Sequence, residues 1–476
     1  MFYKCVNAYS RFEKERFCFL FFSHKLFLQV IGFLFFITSA VRAVPADVPP
    51  DFVPFGVYLG WELPSHCAAY SGIERWEDIC RRLDVCVENH VNTLWVTNMS
   101  EEDLPGLISE CQRRDLKLIV SMASIEGKIK WRWDNEGAYY NTTIPRVVKL
   151  AGSSKALVGW VLSDEPTEED LPNMEILRQQ FRKLDPDRFC LVVTTWSRTP
   201  PVPKETNLPV VCTDLYPFFA PDNVNGPHTD VTSQSYFRNN ALKMVDAIGE
   251  KNAVPWVMGQ CFVEIWGPYR YADNSRLIAL PGAFFNWRCP TLAEVRWQIW
   301  ETFRCQSKGI IFFELAPLYR CAPETAEISS PDVSWKDILL KKSVDAGHAA
   351  LTTLDAKATP QLEEIGKIFQ SMMPFEKLIL RWKAASQALV TVQPPALIQC
   401  FVDPEDNKQY AVVVNDNLHS SQTIKLSIMS RVDKVVDVIH NNREIVLSSD
   451  SSNGTKTGTI ELKAGDGTIL YLSKAD

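Results

Sequence analysis

The sequence predicts an α/β chain, a (β/α)8 barrel followed by a small C-terminal all-β sandwich. Three observations carry this expectation. Eight apolar runs of strand character recur between helix-like segments over roughly 280 residues, the repeat of a parallel barrel. One of them, Leu157–Pro166, is apolar on both faces, as a buried parallel strand is, and stops abruptly at Asp164 and Glu165. Beyond residue 375 the pattern changes to short β-rich runs separated by turn residues. A doubly wound open sheet is the alternative for the first region, and the count of eight favours the barrel.

In chain order, residues 1–43 read as a signal peptide. Lys4, Arg11, Lys14, Arg16 and Lys25 precede an apolar run from Leu26 to Ala40, and Val41-Arg42-Ala43 offers a cleavage site. An N-terminal membrane anchor over Phe17–Ala40 is the competing reading. Export to the outside, the periplasm or the cell surface follows from the first, without stable membrane insertion after cleavage. A Pro-rich linker occupies 44–54. The eight strand-like runs are Phe55–Trp61, Asn92–Thr97, Lys117–Met122, Leu157–Leu162, Cys190–Thr195, Val210–Thr213, Pro255–Gly259 and Gly309–Phe313. Ile73–His90, Glu168–Leu184 and Ser233–Glu250 have helical character, and Thr291 with Glu294 forms a capping box ahead of Val295–Lys308. The Pro-rich connection Ser197–Pro209 is too broken for a full helix. A helical region, Ser343–Met373, completes a barrel domain over 55–375. Six short β runs between Tyr410 and Leu472 then give a sandwich domain over 376–476.

The chain has 476 residues, a hydrophobic fraction of 46% and a net charge of −7. That charge provides no basic face for phosphates and argues against nucleic acid as a partner. Neither a phosphate-cradling glycine loop nor zinc-type Cys/His spacing is present. Of thirteen cysteines, eleven follow the leader, an odd number. Cys80, Cys86 and Cys111 are open to two readings, disulfides of an exported protein or buried thiols.

Carboxylates recur where strands end, the place where parallel barrels do chemistry. Glu62 follows the first strand, Asp164 and Glu165 the fourth, Asp214 the sixth and Glu314 the eighth. Adjacent acids repel, so a raised pKa is expected in this group, with Glu165 the general acid and Asp164 orienting it or holding a hydroxyl. Trp61, Trp95, Trp131, Trp133, Trp196, Tyr216, Phe218 and Trp266 supply flat rings. Acids and rings in one cleft suit a carbohydrate, and Asn98, at the end of the second strand, is placed for a sugar hydroxyl. Arg288 reads as a loop anchor paired to an acid, and Glu294 as a cap.

Residues Phe55 to Leu315 resemble the TIM-barrel glycoside hydrolases, in particular the retaining β-galactosidase and cellulase clan. In that clan a glutamate ending strand 4 is the acid/base, usually after an asparagine; here Glu165 matches it and Asp164 replaces the asparagine. Arg288-Cys-Pro-Thr-Leu-Ala-Glu-Val-Arg296, leading into Gly309-Ile-Ile-Phe-Phe-Glu314, resembles exported glycosidase-like barrels. The clan's nucleophile ends strand 7, where this chain has Gln260. The resemblance implies cleavage of an O-glycosidic bond in an oligo- or polysaccharide by carboxylate acid/base catalysis, with no cofactor and no metal. Glu314 or Asp214 is the partner carboxylate, or Glu264 just beyond Gln260. Trp61, Glu62, Asn98, Trp196, Tyr216, Gln260 and Trp266 are expected to meet substrate. The alternative is a non-catalytic carbohydrate-binding protein that keeps the cleft and lacks the nucleophile.

Overall fold

The computed structural model describes residues 49–125, 137–195, 197–221, 223–249, 251, 253–266, 269–272, 276–279, 284–317, 350–450 and 454–474. The expected signal peptide, Trp131, Trp133 and Trp196 lie outside them. Seven barrel strands come first: β1 (Phe55–Gly60), β2 (Thr93–Met99), β3 (Lys117–Met122), β4 (Leu157–Asp164), β5 (Phe189–Thr195), β6 (Val210–Leu215) and β7 (Val254–Gln260). Four short strands follow, β8 (Glu264–Trp266) paired antiparallel with β11 (Phe284–Trp287), and β9 (Tyr269–Ala272) with β10 (Arg276–Ala279). The eighth barrel strand, β12 (Ile310–Phe313), pairs in parallel with both β7 and β1 and closes the ring.

Helices separate the strands as the sequence pattern requires. They are α1 (Leu63–Ser71), α2 (Arg75–Glu88), α3 (Leu104–Arg113), α4 (Gly137–Ala151), α5 (Leu171–Leu184), α6 (Pro201–Glu205), α7 (Asp230–Ile248), α8 (Leu292–Arg304), α9 (Pro360–Met372) and α10 (Glu376–Arg381). The prolines of the β5–β6 connection confine α6 to five residues by removing backbone donors. The capping box at α8 forms: Thr291 Oγ1 accepts from the Glu294 amide, and Glu294 Oε2 accepts from the Thr291 amide at 2.7 Å. Arg288 clamps the same carboxylate with two bonds of 2.8 and 2.6 Å, the anchor expected of it. Among the described residues no helix is long and apolar enough to cross a membrane.

The barrel interior is filled rather than hollow. Trp95, Ile119, Val161, Leu191, Val193, Cys212, Trp256, Met258 and Ile311 form one cluster inside the ring. Phe52, Phe189 and Trp256 pack at its floor, with Phe189 edge-on to Trp256 at 5.6 Å. Gly159 on β4 makes room for this: a β-carbon there would lie 2.5 Å from the Phe189 ring. Trp95, expected in the cleft, belongs to this interior cluster instead.

After the barrel come β13 (Lys383–Ala384), β14 (Val390–Val392), β15 (Ala396–Val402), β16 (Gln409–Asn415), β17 (Gln422–Met429), β18 (Val432–Asp437), β19 (Arg443–Glu444), β20 (Ser448–Asp450), β21 (Thr455–Leu462) and β22 (Gly467–Lys474). They form a six-stranded and a four-stranded antiparallel sheet resembling a sandwich. The apolar positions of β16 and β22 share a core with those of β17 and β21. The sheets rest on the barrel through α7 and α8. Asp416 accepts from Arg238 at 2.8 Å, Gln234 at 3.0 Å and the Trp297 indole at 2.8 Å. The close fit at α8 needs Gly465, whose β-carbon would lie 2.0 Å from the Ala293 carbonyl oxygen.

The ten described cysteines are free thiols. Cys86 and Cys111 are fully buried, and burial pushes the Cys86 thiol up to about 12. Cys80 instead donates to Glu110.

Candidate active site

The site is built by strand phase. On β5 and β6 the inward positions are Leu191 and Val193, and Val210 and Cys212. Alternation then makes Asp214 inward. Its neighbour Thr213 faces the other way, bonded to Thr199 at 2.8 Å and to Met244 of α7. On β4 the alternation is broken by a bulge. Val161 is level with Leu191, yet Asp164 is level with Val193, so one extra residue is absorbed between them. The bulge brings Asp164 into step with the inward positions. Glu165 follows with a left-handed backbone, φ 47°, rare for a residue with a β-carbon. Two bonds hold that conformation: the Glu165 amide donates to the Val193 carbonyl at 2.9 Å, and Arg198 Nη1 donates to the Glu165 carbonyl at 2.7 Å.

The result is a carboxyl pair spanning β5. The side chains of Glu165 and Asp214 lie within hydrogen-bonding and electrostatic reach of each other. Burial first, then the charges of Glu165 and Asp164, push the Asp214 carboxyl well above the usual aspartate range. Asp214 Oδ1 is sealed from solvent and has no hydrogen-bond partner. The Glu165 side chain, by contrast, is 41% exposed, with Arg198 Nη1 at 3.9 Å from Oε2. The surroundings of Asp214 therefore favour its protonated form, and Glu165 is the member that solvent and ligands reach.

Aromatic rings stand beside the pair. Tyr216, two residues past Asp214, lies 4.9 Å from Phe262, 5.6 Å from Trp287 and 5.9 Å from Phe313. Tyr58 continues the wall at 4.6 Å from Phe313 and shares a 2.6 Å hydroxyl bond with Thr97. Burial above all pushes the Tyr216 phenol well above the usual tyrosine range. Only Tyr216 of this group is among the expected rings. Tyr58 and Phe313 sit inside strand runs, and Phe262 and Trp287 in loop and hairpin, where nothing in the sequence marks them. The inward phase of Tyr58 and Phe313, read from the strand pattern, is the one signal that could have found two of them.

The other expected residues fall elsewhere. Gln260 is fully buried, and its amide is spent on neighbouring loops. Its Oε1 accepts from the Phe218 amide at 2.8 Å, and its Nε2 donates to the carbonyls of Phe218 at 3.0 Å and Arg288 at 2.8 Å. Glu314 is 2% exposed and lies within electrostatic reach of Cys67 on α1, out of step with the inward Ile311 and Phe313. Trp61 is 4% exposed, its indole bonded to Asp103 at 2.9 Å and its ring covered by Arg75 and Trp76. Glu62, at the start of α1, and Asn98, at the end of β2, are exposed. Glu264 is half-buried on β8, opposite Trp287. Trp266 ends the same strand.

Similarity to proteins of known structure lies along the whole fold. One solved structure, described as a glycoside hydrolase, shares 10% identity, with 89% of this chain and 97% of the other covered and a TM-score of 0.52. A glycoside hydrolase family 5 protein from Bacteroides vulgatus shares 10%, covering 88% and 89%, with a TM-score of 0.52. A cycloisomaltooligosaccharide glucanotransferase from Paenibacillus sp. shares 7%, covering 88% and 85%, with a TM-score of 0.50. No family model and no curated protein sequence matches the chain. At these identities the likeness is one of fold: the chain has a glycoside-hydrolase-like TIM barrel with a C-terminal β-sandwich.

Proposed function

We propose that this protein is an exported carbohydrate-active enzyme that hydrolyses glycosidic bonds, with Glu165 and Asp214 as its proton-donating pair. The observation that carries the reading is their meeting across β5, with the Asp214 carboxyl pushed well above the usual aspartate range. Two carboxyls in contact resist ionising together, and here the Asp214 proton is held well above the usual aspartate range. A general acid needs its proton held in that way. Glu165, the exposed member, delivers the proton to the glycosidic oxygen, and Asp214 is its store. Asp164 adds negative charge that favours the protonated pair. Two carboxyls within hydrogen-bonding reach do not stand across a sugar from each other, as a retaining pair about 5–5.5 Å apart or an inverting pair about 6.5–9.5 Å apart does. The two therefore act from one side of the sugar. The carboxylate for the opposite side is assigned to Glu264, half-buried beside the Trp287 wall. The rings of Tyr216 and Trp287 support the carbohydrate reading by offering apolar faces next to acids. The barrel domain over 55–375 carries the site, and the domain over 376–476 supports it.

A glycan panel tests this with wild type, Glu165→Gln and Asp214→Asn. Each substitution is expected to lower kcat by about 10²–10⁴, the usual contribution of a general acid. Equal turnover by wild type and Glu165→Gln removes Glu165 from the mechanism. A second reading, sugar binding without cleavage, is favoured by Gln260 at the strand-7 tip, and glycan binding by wild type with no turnover of any glycan would select it.

A further inference from the structure

We infer that a second sugar subsite lies in the cavity between the β6–α7 loop and the segment joining β11 to α8, and that it takes a neutral hexose unit of an oligosaccharide. It rests on the carbohydrate reading above. The cavity measures about 310 Å³ and is lined by Phe219, Pro221, Pro227, His228, Asp230 and Arg288, with Ser233 at its base. That is the low end for ligand pockets and fits one ring rather than a chain.

The cavity is preformed. The Ala220 amide donates to the Asn286 carbonyl at 3.0 Å, and the Arg288 amide to the Phe218 carbonyl at 3.1 Å, stitching the two segments together. Phe219, half-buried, is fixed by three neighbours. Trp287 lies 5.7 Å from its ring and Tyr236 6.3 Å, edge-on. On another side Gly226 approaches so closely that a β-carbon would lie 2.2 Å from the ring. A ring held this firmly loses little entropy when a sugar stacks on it.

Charge decides the ligand class. Both oxygens of Glu294 are taken up by Arg288, and Asp230 is paired with His419 Nε2 at 2.6 Å. With Arg288 matched by Glu294 and Asp230 adding a further carboxylate, an anionic ligand finds no uncompensated cation here. What remains are the Arg288 Nε–H, the His228 ring and the Ser233 hydroxyl beside the apolar Phe219, Pro221 and Pro227. Donors and acceptors around an apolar face match the hydroxyl rim and flat face of a neutral hexose. The aromatic wall runs without a break from the carboxyl pair to this cavity: Tyr216 to Trp287 at 5.6 Å, then Trp287 to Phe219 at 5.7 Å. An oligosaccharide lying along it has one unit at the pair and another in the cavity.

The test titrates the Glu165→Gln protein by calorimetry with neutral gluco-, manno-, galacto- and xylo-oligosaccharides, from mono- to hexasaccharide, and with uronate and sulfated counterparts. Affinity for a neutral series is expected to rise with chain length. Phe219→Ala and Gly226→Ala are each expected to lower the affinity for the longer members about tenfold. In the wild-type background the same substitutions should leave turnover of short aryl glycosides within about twofold. Phe219→Leu, matched by thermal melting, separates a lost platform from misfolding. Binding confined to charged glycans, no glycan binding at all, or undiminished affinity in Phe219→Ala and Phe219→Leu overturns the subsite. Wild type that hydrolyses nothing, with length-dependent binding lost in Phe219→Ala, leaves the subsite standing and removes the hydrolytic reading. Hydrolysis at every chain length unaffected by Phe219→Ala does the reverse.

Discussion

The surroundings of Asp214 favour its neutral form, and this has a consequence for stability as well as chemistry. Its folded carboxyl is raised above the unfolded value of 3.8. The favourable contribution is therefore complete below the ordinary aspartate range and is lost as pH rises towards the folded value. An asparagine in its place has no proton to lose. Asp214→Asn should thus melt at the same temperature as wild type in acid and at a higher one at neutral pH, the gap widening with pH. Melting curves across pH check this, and a gap independent of pH would show that the site does not hold the proton. The variant is expected to be more stable and less active, the trade seen where a site stores an unfavourable group. At this scale the sequence marked Glu165, Asp164 and Asp214 correctly as strand-tip residues, because each directly follows or ends an apolar run. It carried no sign that Asp214 would hold the proton, since that depends on burial and on which carboxyl it meets.

At the level of elements, β4 does the most to position the site. Its bulge sets the direction of Asp164, and its Gly159 admits the Phe189 ring that packs the floor. Gly159→Ala places a methyl 2.5 Å from that ring, so β4 and β5 must part or Phe189 must leave its rotamer. Overpacking of this kind costs about 1–3 kcal/mol. The expected result in urea unfolding is a loss of that size, accompanied by lower activity because Glu165 is tied to Val193 of β5. A stable Gly159→Ala protein with full activity would show that β4 is not so constrained. The eight strands were legible from their apolar runs, since parallel strands buried on both faces leave an unbroken signal. The bulge was not, because a one-residue offset between neighbours has no local signature. Strands β13, β14 and β15 were also missed, being short or adjacent to Pro394 and Pro395.

For the whole molecule, the sandwich and the barrel meet through an apolar core shared by α8 with Val412, Val414 and Ile469, to which buried polar contacts are added. Asp416 gathers donors from α7 and α8, and Asp466 accepts from the Trp300 indole at 3.1 Å. Removing the Asp416 carboxylate takes an acceptor from the Trp297 indole and from Arg238 Nη2, each such loss costing about 1–3 kcal/mol, while Gln234 keeps the Asp416 main-chain carbonyl. Asp416→Ala is accordingly expected to lower the melting temperature and to split one calorimetric transition into two, as barrel and sandwich uncouple. A single unshifted transition would mean that the contact adds nothing to cooperativity.

By itself the sequence determined the architecture: eight apolar runs and their helices specify a closed barrel, and the β-rich tail a second unit. Periodicity is a local property, so it survives in one dimension. It also determined that acids would gather at the strand tips. The tertiary structure alone decided which of them lie together. Gln260 became a clamp between loops, Glu314 was drawn into the neighbourhood of Cys67, and Glu165 met Asp214 across β5. Those outcomes depend on strand phase, a bulge and through-space contacts such as that between Glu165 and Asp214, 49 positions apart in the chain. No local pattern encodes such distances, and the electrostatics of the site follows from them.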